Sequence, residues 1–296
     1  MLFRSLSASR SRRGLLASVL VAACAPQPTG APRTTVPAPD RVAATPAGER
    51  WTVRPNGATR SHLVHLDAIL VSRVDSVERS DSLRATLGTS WTYAAPPSGA
   101  RDVPARIAGS LTTFGVAFGG ASPLETPAAL SLPVVYAAEQ SSQVLQPVFT
   151  FPRAEECGPA AAALATVREL WVSLPETLVV GATWADSAEF TTCRDSIPLA
   201  VSSTRSYRVV GVASRDGRVA VRVDRSSLVR MSGAGSQFGE PLQVDAEGRG
   251  SAQLEVSLEG GAILSGTGES ELRMTMRGRR RTQQLVQRTR LSIAVP

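Results

Sequence analysis

Residues 60–74 read RSHLVHLDAILVSRV, and their apolar members keep a period of two. Val64, Leu66, Ala68, Leu70 and Val74 fall on one side, while His65, Asp67 and Arg73 fall on the other. A helix would scatter these positions around its circumference, whereas a strand sends alternate side chains to opposite faces. The stretch therefore reads as a half-buried antiparallel strand, apolar inward and polar outward. The same beat recurs outward from it. In LRATLGTSWTY, Leu83, Ala85, Leu87, Trp91 and Tyr93 align, and near the end Leu285, Leu291, Ile293 and Val295 do so. SAQLEVSL at 251–258 and ESELRMTM at 269–276 repeat it. RDGR at 215–218, AEGRG at 246–250 and EGG at 259–261 supply turn signals between strands.

One segment keeps a different period. In CGPAAAALATVRELWVSLP, Pro159 stands at a first helical position, with Glu155 and Glu156 just before it. Leu164, Val167, Trp171 and Leu174 follow at spacings of three and four, and Pro175 ends the run. The spacing predicts one long helix over 159–174, laid against a sheet. GERWTV and TRSHLV at 48–53 and 59–64 are echoed by GATWAD and TRSYRV at 181–186 and 204–209, which suggests an internal duplication. The expected fold is mainly β, of the α+β class: curved antiparallel sheet, two similar β-lobes and one helix on the sheet. The lobes are set at 51–154 and 201–296, with residues 155–200 as helix and connector.

The first residues supply an address. Arg4, Arg10, Arg12 and Arg13 precede the apolar run Gly14 to Ala23, which is half the roughly 20 residues needed to span a bilayer. Val21-Ala22-Ala23-Cys24 resembles the lipobox of bacterial lipoproteins. The resemblance implies that residues 1–23 are a signal peptide and that Cys24 is acylated. SRRGLL is also similar to a twin-arginine export signal, the alternative being an ordinary basic leader. Ala25, where an aspartate would signal inner-membrane retention, leans the expectation towards the outer membrane. Residues 25–50 carry six prolines and few large apolar groups, so residues 24–50 read as an acylated cysteine and a disordered tether. Its reach is roughly 80 Å at about 3.1 Å per residue. The whole resembles families of exported bacterial lipoproteins, and the body is similar to lipoprotein-carrier folds, which would imply an apolar ligand.

Charge and residue types exclude several chemistries. The formal charge of +7 includes four arginines before Cys24, and without them the balance is +3. There is no lysine, so no Schiff base, no P-loop lysine and no Ser-x-x-Lys pair exists. The two histidines, His62 and His65, lie three apart, on opposite faces of a strand, and do not chelate one metal. GAGSQFG at 233–239 lacks the nucleophile-elbow spacing and reads as a glycine-rich bend. Asp186 with Glu189, and Asp245 with Glu247, read as solvated loop acids. Cys157 and Cys193, an even pair in an exported chain, are expected to form a disulfide.

The strongest charge feature is RGRRRTQQLVQRTR. Arg277, Arg279, Arg280, Arg281, Arg288 and Arg290 lie in a stretch with no acid after Glu271. They are candidates for binding an anionic partner. Nucleic acid is not expected, because no stacking aromatics are interleaved. Two functions follow, neither of them enzymatic and neither needing a cofactor or metal. The first is binding of a lipid or other apolar molecule against Leu164, Val167, Trp171 and Leu174. The second is an interaction module in an envelope complex, contacting an envelope protein or anionic polymer through the arginine-rich end. Both place the protein on a membrane through Cys24.

Overall fold

The structure is a computed structural model that describes residues 48–53, 60–94, 105–119, 133–140, 145–150, 169–170, 172, 174–194, 197–215, 218–237, 239–259 and 261–295. The alternation at residues 60–74 becomes strand β2 (Arg60–Val74), preceded by the short β1 (Trp51–Thr52). β3 (Val77–Ala94), β4 (Ala105–Phe118), β5 (Pro133–Gln140) and β6 (Leu145–Thr150) follow. After the short β7 (Thr177–Leu178) come β8 (Thr183–Arg194), β9 (Ile197–Arg215) and β10 (Arg218–Gln237). β11 (Glu240–Ser257), β12 (Ile263–Gly278) and β13 (Thr282–Ala294) complete the chain.

Eleven of these strands form one sheet, in the order β6-β5-β4-β3-β2-β13-β12-β11-β10-β9-β8, and β1 pairs with β7 separately. Every pairing is antiparallel. Sheet neighbours are also chain neighbours, with one exception. The first long strand lies beside the last, with Leu63 opposite Ala294 and Val74 opposite Gln283. Through that join β2 and β13 run in one continuous sheet, which spans both stretches read as β-lobes.

Period-two patterning is obeyed at the residues whose burial is described, and the side chains of Trp91 and Tyr93 lie outside them. Val64, Leu66, Ala68 and Leu70 are buried, as are Leu83, Ala85 and Leu87, and Leu285, Leu291 and Ile293. They join one apolar core that extends through Val221, Val223, Leu254, Leu272 and Met274. The opposite face of the sheet is exposed and mostly polar, with Ile69 and Val210 among its exposed apolar side chains.

The expected helix over 159–174 is corrected. Strand makes up 86% of the described structure, and no helix occurs in it. Of residues 159–174 only 169, 170, 172 and 174 are among the described residues; Leu170, Val172 and Leu174 of this strap are buried at a spacing of two. The Val172 N–H donates to the Gly261 carbonyl at 3.1 Å, and the Ile263 N–H donates to the Leu170 carbonyl at 3.3 Å. These two bonds tie Leu170 and Val172 to the residues that open β12. Gly261 has φ of 70°, and a Cβ there would press on the Val172 carbonyl, so only glycine lets the strap lie so close.

Two turn readings are also corrected. AEGRG at 246–250 lies inside β11, where Ala246, Gly248, Gly250 and Ala252 keep the core-facing beat with small side chains. Gly248 stands opposite Leu272, whose side chain occupies the space a Cβ would need. Gly233 and Gly235 lie inside β10, not in a bend, and a Cβ on Gly233 would collide with the Pro198 carbonyl.

Candidate functional site

The strand register lays two polar rows across the exposed face. Ala185, Ser206, Ser226, Ser251, Glu269, Arg290, Asp67 and Arg84 stand successively opposite one another from β8 to β3. Beside them run Thr183, Arg208, Asp224, Gln253, Thr267, Ser292, His65 and Thr86. A broad open depression of about 1250 Å³ follows both rows from β8 to β2. A second, of about 890 Å³, lies further along the same face, over Glu189, Arg230, Glu247 and Arg273.

Arginines and acids alternate on this face. Arg290 pairs with Glu269 at 3.1 Å, and Arg288 with Glu271 at 3.0 Å. Arg277 pairs with Asp245 at 2.7 Å, and the more exposed Arg84 with Asp67 at 3.4 Å. Hydrogen bonds from Arg273 and then Arg288 hold the Glu271 carboxyl below the usual range. Three of the six candidate arginines are thus paired with acids from the sheet.

The other three are placed differently. Arg279, Arg280 and Arg281 occupy the turn between β12 and β13, and all three are exposed. The Gly278 N–H donates to the Arg281 carbonyl at 3.0 Å, which closes a tight hairpin. Among the described residues, no acid lies within ion-pair distance of these three guanidinium groups.

A second charged cluster lies on the apolar face. Arg205 on β9 donates from Nε to Asp186 Oδ1 at 2.7 Å and from Nη2 to Asp186 Oδ2 at 3.1 Å. The Tyr207 hydroxyl donates to Asp186 Oδ2 at 3.1 Å. Trp184 stacks on Tyr207 with ring centres 5.0 Å apart. Glu169, in the strap, bridges two arginines: Oε2 lies 2.9 Å from Arg225 Nη1, and Oε1 lies 3.6 Å from Arg205 Nη1. Burial works against the charge on Arg205, but the negative groups around it more than offset this and raise its pKa. Burial also pushes the Tyr207 phenol well above its ordinary range. Among the described residues, no three His, Cys, Asp or Glu side chains gather as a metal site.

Leu174, read as lining an apolar pocket, is fully buried in the strap. Its companions Leu164, Val167 and Trp171 lie outside the described residues, as do Cys24 and Cys157. Cys193 is fully buried on β8. His62 is buried on the core face and its Nε2 lies 2.7 Å from the Ile263 carbonyl, while His65 is exposed. Asp186 is corrected from solvated loop acid to buried strand residue, and Asp245 and Glu247 lie in β11. The buried cluster had a signal in the sequence. Arg225 is in phase with Val221 and Val223, and Arg205 with Val201 and Val209. A charge on the apolar beat demands a partner.

No protein-family model matches the chain, and no curated protein matches it. Among solved structures, an outer membrane channel from Pseudomonas putida F1 aligns over 85% of this chain and 100% of that one, at 10% identity. The TM-score is 0.19, too low to carry an inference about fold or function.

Proposed function

We propose that this protein is a lipid-anchored, non-enzymatic module of the bacterial cell envelope that contacts an anionic polymer through Arg279, Arg280 and Arg281. The observation that carries the reading is the hairpin tip, where three exposed guanidinium groups have no acid within pairing distance among the described residues. Guanidinium is permanently charged and suits repeated phosphate or carboxylate groups. Arg277, Arg288 and Arg290 are paired with acids, so they contribute to the sheet rather than to the contact.

The polarity of the fold supports a partner on the far side from the anchor. Trp51 pairs with Leu178 beside the strap, whose Val172 bonds to Gly261 at the start of β12. The arginine tip follows the other end of β12. A strand of that length spans about 50 Å at about 3.3 Å per residue. On this reading Cys24 is acylated, a Cys157–Cys193 bridge braces the body, and the arginines face away from the anchoring membrane. An apolar ligand is the competing reading; with Leu174 buried and both depressions over the polar face, it has less support.

Retention on immobilised polyphosphate tests the reading, with uncharged dextran as the control matrix. The intact chain should be retained, and retention should weaken as salt rises. Replacing Arg279, Arg280 and Arg281 together by Ser should abolish retention without moving the melting midpoint. Unchanged retention of that variant would overturn the proposal.

A further inference from the structure

We infer that Val180, Val210 and Val219 dock the body on the surface of the anchoring bilayer, so that the protein stands on its membrane instead of hanging free on the tether. The inference rests on the acylation of Cys24 and goes beyond it. Among the described residues five large apolar side chains are exposed, and these valines are three of them, at 44%, 46% and 46%. All three lie at the pole that holds Trp51. Leu178 pairs with Trp51, and Val180 is two residues further on. Val219 is the second residue of β10, and its neighbour Ala220 stands opposite Ser257, the last residue of β11.

Backbone bonds hold Val180 next to Val210. The Gly181 N–H donates to the Val209 carbonyl at 2.8 Å, and the Val209 N–H donates to the Ala182 carbonyl at 2.9 Å. The Ala182 N–H donates to the Val179 carbonyl at 3.1 Å and closes a turn in which Gly181 has φ of 87°. Val180 thus takes the corner of an exposed turn, a place where glycine, proline and small polar residues are the rule. Val210 is the extra residue of a bulge, because Val209 stands opposite Val223 and Gly211 opposite Arg222. A bulge re-aims a side chain out of the regular alternation. The three valines therefore mark one corner of the sheet, over β8 to β10, and burying them would remove apolar surface from water. The bilayer is the partner that this corner meets. Trp51, on the same pole, lies 27 residues after Cys24. A body tethered so closely meets its own membrane at high effective concentration, so a small apolar wedge suffices. Stable attachment to a bilayer ordinarily takes a second signal beside an acyl chain, and the valine corner supplies one.

Photo-crosslinking of the full acylated chain in phosphatidylcholine vesicles tests the docking; these vesicles carry no net charge to draw the arginine tip. Val180→p-benzoylphenylalanine and Val219→p-benzoylphenylalanine should each give a lipid adduct by intact mass, and Arg280→p-benzoylphenylalanine should give none. The adducts should persist at high salt, because burial of apolar groups is not screened. Flotation of the same samples separates the docking from the anchor. A chain that floats with the vesicles but gives no adduct at 180 or at 219 keeps its anchor and overturns the docking, as do equal adducts at 180 and 280. A chain that does not float overturns the anchor reading and the docking with it.

Discussion

At the scale of residues, the buried phenol of Tyr207 makes a pH-dependent contribution whose sign is fixed. Burial raises its pKa in the fold, whereas in the unfolded chain it ionises near the ordinary value of about 10. The contribution is fully present below that value and is lost as pH rises through the folded pKa. Tyr207→Phe should lose about 1 kcal/mol near neutrality, because it deletes the hydrogen bond to Asp186. It should also show a shallower alkaline decline in its urea midpoint from about pH 9 upward. The chain has no lysine, so no lysine titration obscures the comparison. An identical alkaline slope in both proteins would refute the assignment. Face by face, residues were legible in the sequence: Val64 and Leu66 went in, and His65 and Asp67 stayed out. Asp186 was missed because its partner lies on another strand, and no local pattern shows what a charge meets across a sheet.

At the scale of elements, the strap and the β12–β13 hairpin should respond very differently to substitution. Leu174 has no exposed surface, and Leu174→Ala should cost about 2–5 kcal/mol in urea unfolding through lost burial and the cavity left behind. Arg288 is 72% exposed, and Arg288→Gln should leave the urea midpoint nearly unchanged. Its effect belongs to Glu271, which loses a hydrogen bond and should titrate at higher pH by carbon-detected NMR. A large stability loss from Arg288→Gln, with an unmoved Glu271, would contradict the ladder. The strap also shows why one element was misread. Leu164, Val167, Trp171 and Leu174 satisfy a helical spacing, yet Leu170, Val172 and Leu174 satisfy a strand spacing equally well. Val172 donates to the carbonyl of Gly261, about ninety residues away, a contact that no local spacing shows. The glycines of 246–250 misled for a related reason: they serve close packing on a core face rather than a turn.

At the scale of the whole molecule, one join decides the architecture. Strand existence and facing follow from periodicity, but the pairing of β2 with β13 links residues at opposite ends of the body, with Leu66 opposite Leu291. No sequence period names a neighbour, so the similar segments at 48–64 and 181–209 invited two lobes. The structure places them differently: Trp184 lies opposite Tyr207, whereas Trp51 lies opposite Leu178. The continuous sheet gives the molecule two poles, one holding Trp51 and the strap, the other the Arg279–Arg281 tip. Separation of those poles is the claim on which the functional reading depends. Spin labels at the exposed Thr52 and Arg280, read by pulsed dipolar spectroscopy, measure it directly. A distribution centred at roughly 50 Å is expected from the length of β12, whereas one centred below roughly 25 Å would contradict the account.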